Sequence, residues 1–308
     1  MRIKQLVIST ALLLFAALGT YFGQKYYVRF QSAKQERGIR EARIAAWHSL
    51  QQSLKNEINQ FKGEAGITIV DLGAGWEFSH NKAALFPSAS LAKIPLMAAC
   101  FLAAEQGKVK LERTIALKSS DKLTGSGVLK DMPAGTAFSV QRLIGLMMYD
   151  SDNTATNIIT NLLGIDYVNS ACSAFGLRDT RLSRRIADYR LRDQGIENYT
   201  TAQDMALLLT KIYRKELGSR NISDQCIAIL KLTRMNDRIP KYLPPEITVA
   251  HKTGLERGVC HDAGIVFTRT GDFIIVVLTK HAHANSNLSK EFIAKVSSDT
   301  YTYFERLK

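Results

Sequence analysis

Three short runs in the chain carry side chains suited to acyl transfer: Ser90-Leu91-Ala92-Lys93, Ser151-Asp152-Asn153 and Lys252-Thr253-Gly254. A serine hydroxyl attacks a carbonyl only when a neighbouring base takes its proton. A buried lysine close to another cation has a lowered pKa and can be that base. Lys93 falls one helical turn after Ser90, on the same face. Free backbone N–H groups at the start of a helix can also hold an oxyanion beside such a serine. In the second run, Ser151 could pass a proton to a leaving nitrogen and Asn153 could hold a substrate amide. In the third, Lys252 and Thr253 could pair with a substrate carboxylate, with Gly254 letting the backbone approach closely.

Each run alone has an ordinary explanation. Ser, Asp and Asn are the best helix N-caps, which accounts for one residue of the second run. Lys-Thr-Gly suits a strand-to-turn junction, and Arg269-Thr270-Gly271 is such a junction. A second Ser-x-x-Lys, Ser119 to Lys122, lies in a polar turn with no helix after it and is set aside. What is specific is the order of the three runs, about 60 and 100 residues apart, each in a suitable context. Other chemistries find no support. There is no Gly-rich phosphate loop, no HExxH and no metal-ligand spacing. His48, His80, His281 and His283 are scattered over expected surface positions, and His251 and His261 flank an expected hairpin. No metal and no cofactor is expected.

The elements that must position these residues can be read from periodicity. Gly66–Asp71, a Gly-rich turn and Trp76–Ser79 read as a β-hairpin. Ser90–Gln106 reads as an apolar helix in which Pro95 is tolerable near the first turn. Residues 139–231 are helical in period, with helices expected at Val140–Met148 and Thr154–Leu162. The exception is Arg178–Tyr199, polar and weakly periodic, which reads as a long ordered loop of the functional kind. Strands are expected at Ile247–His251, Ala263–Thr268 and Phe273–Thr279, with Lys252-Thr253-Gly254 ending the first, and a final helix at Ser289–Phe304. Strands thus bracket a helical middle. The expected fold is α/β (α+β): an antiparallel sheet flanked by helices, with an all-α domain inserted.

The amino end differs from the rest. An uncharged run of about 20 residues, Gln5 to Gln24, is long enough as a helix to cross a bilayer core. Tyr21, Tyr26 and Tyr27 lie where an aromatic belt would fall. The run reads as an uncleaved transmembrane helix, with a cleaved signal peptide as the competing reading. Residues 31–61 read as a helix, amphipathic in its second half through Ile44, Trp47, Leu50, Leu54 and Ile58. The domains expected are residues 1–24 as anchor or signal and 25–43 as a basic helical stalk. Residues 44–308 form the body, its α/β part being 44–86 with 233–308 and its all-α part 87–232. Net charge is +13, and residues 1–60 supply +6 of it through nine Lys/Arg against three Asp/Glu. With no block of like charges and no recognition motif, that balance fits a basic stalk beside a membrane, not a nucleic-acid binder. Cys100, Cys172, Cys226 and Cys260 lie far apart, which excludes a zinc knuckle but leaves one or two disulfides open.

The three runs in this order resemble the class A β-lactamase-like family of serine enzymes, which includes penicillin-binding members, over about residues 40–308. Phe86–Lys93 resembles that family's nucleophile segment, Met148–Asn157 its SDN helix, and Thr180-Arg181-Leu182 the start of its Ω-loop. His261–Ile265 resembles the strand after its KTG motif. The resemblance implies that Ser90 is acylated, that Lys93 is its base partner and that Ser151 relays the proton. It further implies that Lys252 and Thr253 bind the carboxylate and that the N–H groups of Ser90 and Leu255 form the oxyanion hole.

One departure stands out. The family's β-lactamases carry a Glu in the Ω-loop that activates the deacylating water, with an Asn four residues later. Counting from Arg181, those positions fall on Ile186 and Arg190. Ile186 cannot activate water, and Asp188 and Glu197 are the nearby carboxylates that could substitute. The expected activity is therefore opening of β-lactam rings through acyl-Ser90. The alternatives are a D-alanyl-D-alanine carboxypeptidase acting on peptidoglycan and a penicillin sensor that stays acylated. Both substrate types present an amide next to a carboxylate. Both lie outside the inner membrane, so the body is expected there, although the cations after the span would by themselves keep it inside.

Overall fold

In the computed structural model the chain is described for residues 2–282 and 285–307, with backbone alone for residues 2–17 and 28. His283 lies outside the described residues. The first element, α1 (Arg2–Gln60), is one continuous helix of 59 residues. It crosses the boundary between two units, residues 1–52 and Ser53–Arg306. Within the first unit Arg37 and Glu41 form an i,i+4 ion pair across the turn that contains Gly38. Among the described residues no helix is long and apolar enough to cross a membrane. The side chains of the expected span fall largely outside the described ones.

The second unit is built on a five-stranded antiparallel sheet. Strands β1 (Glu64–Asp71) and β2 (Glu77–His80) form the expected hairpin, pairing Ile67 with His80 and Val70 with Glu77. The Asp71 carboxylate closes the turn by accepting the N–H groups of Gly73 and Ala74. A two-residue β3 (Phe86–Pro87) precedes α2 (Lys93–Glu105). Then follow the paired short strands β4 (Thr114–Ala116) and β5 (Ala137–Ser139). The helices α3 (Val140–Tyr149), α4 (Asn153–Leu163), α5 (Ile165–Ala174) and α6 (Tyr189–Asp193) come next. After β6 (Tyr199–Thr200), which pairs with β3, come α7 (Ala202–Arg214) and α8 (Arg220–Leu230). The chain ends with β7 (Thr248–Glu256), β8 (Val259–Phe267), β9 (Phe273–Lys280) and α9 (Asn287–Glu305).

The strand order β2-β1-β9-β8-β7 joins the two ends of the chain, since β1 pairs with β9 along its whole length. Helices cover both faces of the sheet, so β9 reads as an unbroken apolar run, FIIVVLT, with every one of these residues buried. Helix α9 packs on β8 and β9, and α7 packs across β1, β8 and β9. The last turns of α1 also belong to this unit: Ser53 bonds Asp299 of α9 at 2.5 Å, and Phe61, just past the helix, stacks on Phe292 of α9 at 4.3 Å. One core runs from sheet residues such as Ile265 and Val276 into the helical middle, where α2 is apolar all round because it is enclosed by α3, α4, α5 and α8.

Two expectations change. Lys252-Thr253-Gly254 does not end a strand. β7 continues through Glu256, because β8 starts at Val259 and pairs it to its tip. The four cysteines are free and buried, so no disulfide forms among them.

Candidate active site

Ser90 sits in a 3₁₀ turn, Ala89–Ala92, that leads directly into α2. The chain enters that turn through Ala89 at φ +45°, a left-handed conformation that costs a non-glycine residue about 1–3 kcal/mol and is characteristic of functional sites. The surroundings hold it there. Ser88 donates to the carbonyl of Asn198 at 2.7 Å, and His261 Nε2 bonds the Pro87 carbonyl at 2.8 Å. Burial pushes His261 down to about 4, so its ring is neutral and Nε2–H is the donor. Leu91 and Ala92 are buried, which turns Ser90 outward and leaves it half-buried. Lys93, the first residue of α2, is fully buried.

Ser151 lies in the corner between α3 and α4, also left-handed at φ +53°. Its neighbour Asp152 is the N-cap of α4, accepting from Ala155 N at 2.8 Å. The other Asp152 oxygen accepts from Val128 N and Leu129 N at 2.7 and 2.8 Å, which fixes a second loop beside the corner. Gly127, at φ +110°, is required at that junction: a Cβ there would lie 2.3 Å from the Asp152 carboxylate. The capping reading of the second run holds through Asp152, while Ser151 and Asn153 on either side of it both face Lys93.

Three elements converge on Ser151 Oγ. Lys93 Nζ donates to it at 3.0 Å, and Lys252 Nζ from β7 donates to it at 3.0 Å. A hydroxyl has two acceptor sites and one hydrogen. With both acceptor sites used, the hydrogen is left for Ser90 Oγ, 2.9 Å away. Lys93 Nζ also donates to the Ser151 carbonyl at 2.7 Å and to Asn153 Oδ1 at 3.1 Å, so its three hydrogens are all placed. Burial, with Lys252 beside it, holds the Lys93 amine well below the usual lysine range, against the pull of Asp152 and Glu256. Burial likewise brings Lys252 down to about 7, with Asp262 acting to raise it and Arg238 to lower it.

Once neutral, Lys93 keeps two hydrogens for its two carbonyl acceptors and turns its lone pair to Ser151 Oγ. The direction of the chain then reverses: Ser90 donates to Ser151, and Ser151 to Lys93. That arrangement can strip a proton from Ser90. The third run lies alongside. Lys252, Gly254 and Glu256 share one face of β7 by the two-residue period. A Cβ at Gly254 would meet that of Ala89 at 3.4 Å, so glycine brings the strand against the nucleophile turn. Thr253 is buried opposite Asp262, and Leu255 is exposed opposite Cys260.

The loop from Arg178 to Tyr199 is ordered by its own polar groups. Asn157 of α4 donates to the Ile186 carbonyl and accepts from its N–H, both at 3.0 Å. The Ile186 side chain is buried and Arg190 is exposed. The two loop carboxylates considered as water activators have other partners. Asp188 caps α6 by accepting from Leu191 N, and Glu197 takes the buried Arg184 guanidinium at 2.6 and 3.0 Å. Ser119 and its neighbours form a single 3₁₀ turn with no buried residue, unlike the turn of Ser90.

Two charged residues were not singled out by the sequence. Arg238 is fully buried, bonds Cys260 Sγ through Nε at 3.2 Å and acts on Lys252. Glu256 closes β7 beside Arg184 and Arg192. Neither belongs to a motif: the register of β7 brings Glu256 here, and the turn before the 3₁₀ segment Ile239–Tyr242 brings Arg238.

The chain matches the model of the β-lactamase enzyme family over residues 49–304 and belongs to that family. It is a serine β-lactamase-like hydrolase. Among curated relatives, β-lactamase VEB-1 of Pseudomonas aeruginosa is 23% identical over 83% of this chain and 90% of its own. The crystal structure of a β-lactamase from Sphaerobacter thermophilus superposes with a TM-score of 0.77 at 30% identity, covering 84% of this chain and 98% of that one. PBP-A superposes with a TM-score of 0.77 at 28% identity, covering 83% and 96%. A leucine-to-glutamate mutant of PBP-A, an acyl-enzyme complex with penicillin G, matches equally well at 84% and 97% coverage.

Proposed function

We propose that this hydrolase opens β-lactam rings by forming an ester on Ser90 and releases the opened product slowly. The observation that carries the reading is the hydrogen-bonded run Ser90–Ser151–Lys93, with Lys252 on the same serine hydroxyl. Neutral Lys93 draws the Ser90 proton, through Ser151, as Ser90 Oγ bonds to the lactam carbonyl carbon. The C–N bond of the ring then breaks, and its nitrogen takes the proton back through Ser151. The N–H groups of Ser90 and Leu255 hold the carbonyl oxygen. Lys252, near neutrality when the site is empty, is held charged by a substrate carboxylate, with Thr253 as second donor and Asn153 on the substrate amide. Hydrolysis of the ester then needs a base for water, and the aligned side chain is Ile186. Slow release follows.

A second reading is favoured by the PBP-A likeness and by Ile186: a carboxypeptidase on peptidoglycan D-Ala-D-Ala ends, or a sensor that remains acylated. In either setting residues 5–24 would anchor the chain in the membrane, with the body on the extracytoplasmic side where such substrates are. Incubation with nitrocefin, and separately with a D-Ala-D-Ala peptide, distinguishes them. Nitrocefin turnover with no D-Ala release supports the first reading. D-Ala release supports the second, and labelling without turnover of either supports the sensor.

A further inference from the structure

Glu256 is the carboxylate of this site that no motif contains. It stands two residues past Gly254, on the β7 face from which Lys252 reaches Ser151. Its Oε2 lies 3.5 Å from Arg184 Nη2 and 3.8 Å from Arg192 Nη1. Glu197 completes the group, at 2.6 Å from Arg184 and 3.8 Å from Arg192. Arg184, Glu197 and Glu256 are largely buried, and Arg192 is the outermost member. Two loop arginines and one loop carboxylate thus meet the acid at the tip of the strand that carries the third motif.

We propose that Glu256 is a positioning residue for acylation, fastening the 178–199 loop to β7 and setting the electrostatic field at Lys93. The charged groups around Glu256 are Arg184, Arg192 and Glu197 from the loop and Lys93 from α2. Those acting on Lys93 are Lys252 from β7, Asp152 from the α3–α4 corner, and Glu256. A carboxylate here favours the charged ammonium of Lys93, which is the form unable to accept the Ser90 proton. The two arginines compensate that charge while the loop is seated. The loop thus acts on the charge of Lys93 through Glu256, besides holding the nucleophile turn directly where Asn198 accepts from Ser88 N.

This inference rests on the acyl-serine reading, with Lys93 as base. It is tested with the full chain and a fluorescent penicillin by measuring the acylation rate against pH for wild type, Glu256→Gln and Arg192→Gln. Removing the Glu256 charge leaves Lys93 easier to deprotonate, so the rising limb moves to lower pH. Removing Arg192 leaves Glu256 less compensated, so the limb moves to higher pH. For charges a few side chains apart in a protein interior, each displacement is about half a pH unit to one unit. Opposite displacements support the proposal, because loosening the loop would lower both rates without moving the limbs apart. Labelling with coincident limbs, or limbs displaced the same way, overturns this inference alone. A wild-type chain that takes no label overturns the acyl-serine reading and this inference with it.

Discussion

Asn157 grips the main chain of Ile186 on both sides, donating to its carbonyl and accepting from its N–H at 3.0 Å each. Its amide has no freedom left along that edge, so the loop position that counting from Arg181 matches to the family's water-activating Glu is held in place and carries a buried aliphatic side chain.

Ile186→Glu should therefore raise the rate of penicilloyl-ester hydrolysis with little change in acylation. A positioned general base contributes about 10²–10⁴-fold. Adding Arg190→Asn should improve it further, since Arg190 could pair with the new carboxylate and weaken it as a base. Stopped acylation followed by intact mass gives both rates. A wild type that already turns over penicillin rapidly, with Asp188→Ala or Glu197→Ala trapping the ester, would contradict this.

Lys252→Ala should weaken carboxylate-bearing substrates far more than neutral esters. Losing a charge-assisted hydrogen bond costs about 1.5–3 kcal/mol, roughly ten- to a hundredfold in kcat/KM. Parallel kinetics on a penicillin and on an ester lacking the carboxylate check it. Equal losses would mean that Lys252 only supports Ser151.

The pH dependence follows from the two lysines. Lys93 must be neutral to act, so acylation rises with pH as it loses its proton, well below the usual lysine range. Lys252 must be charged to hold a carboxylate, and in the empty site it loses its proton near pH 7. For carboxylate substrates kcat/KM should therefore fall above about that pH. For neutral esters the falling limb should be absent. Identical profiles for both substrates would rule out that role for Lys252.

Arg184 is the structural centre of the long loop. It is fully buried and shared by Glu197 and Glu256, so Arg184→Ala strands two partly buried carboxylates. Removing one partner of a buried ion pair costs about 3–5 kcal/mol. Urea unfolding should show a loss of that order, and a change below about 1 kcal/mol, as for an exposed pair, would contradict it.

The motifs were legible because Ser90, Lys93, Ser151 and Lys252 are unusual only in combination, and order along the chain preserves that combination. The hairpin at β1 and β2 and the alternation of helices were legible from periodicity. The depth of Lys252 inside β7 was not, since strand length there is set by pairing with β8 and not by local residues. Asp188 and Glu197 looked alike in sequence. Capping claims one and Arg184 the other, and both depend on how the loop folds back. Glu256 was silent for the same reason: its partners lie some 60–70 residues earlier.

The account stands most directly on the ester at Ser90. Full-length wild type, Ser90→Ala and Ser119→Ala incubated with penicillin G should be followed over time by intact and peptide mass. The predicted result is one adduct, on the peptide containing Ser90, lasting minutes or longer in wild type and Ser119→Ala and absent from Ser90→Ala. An adduct that survives Ser90→Ala would contradict the account.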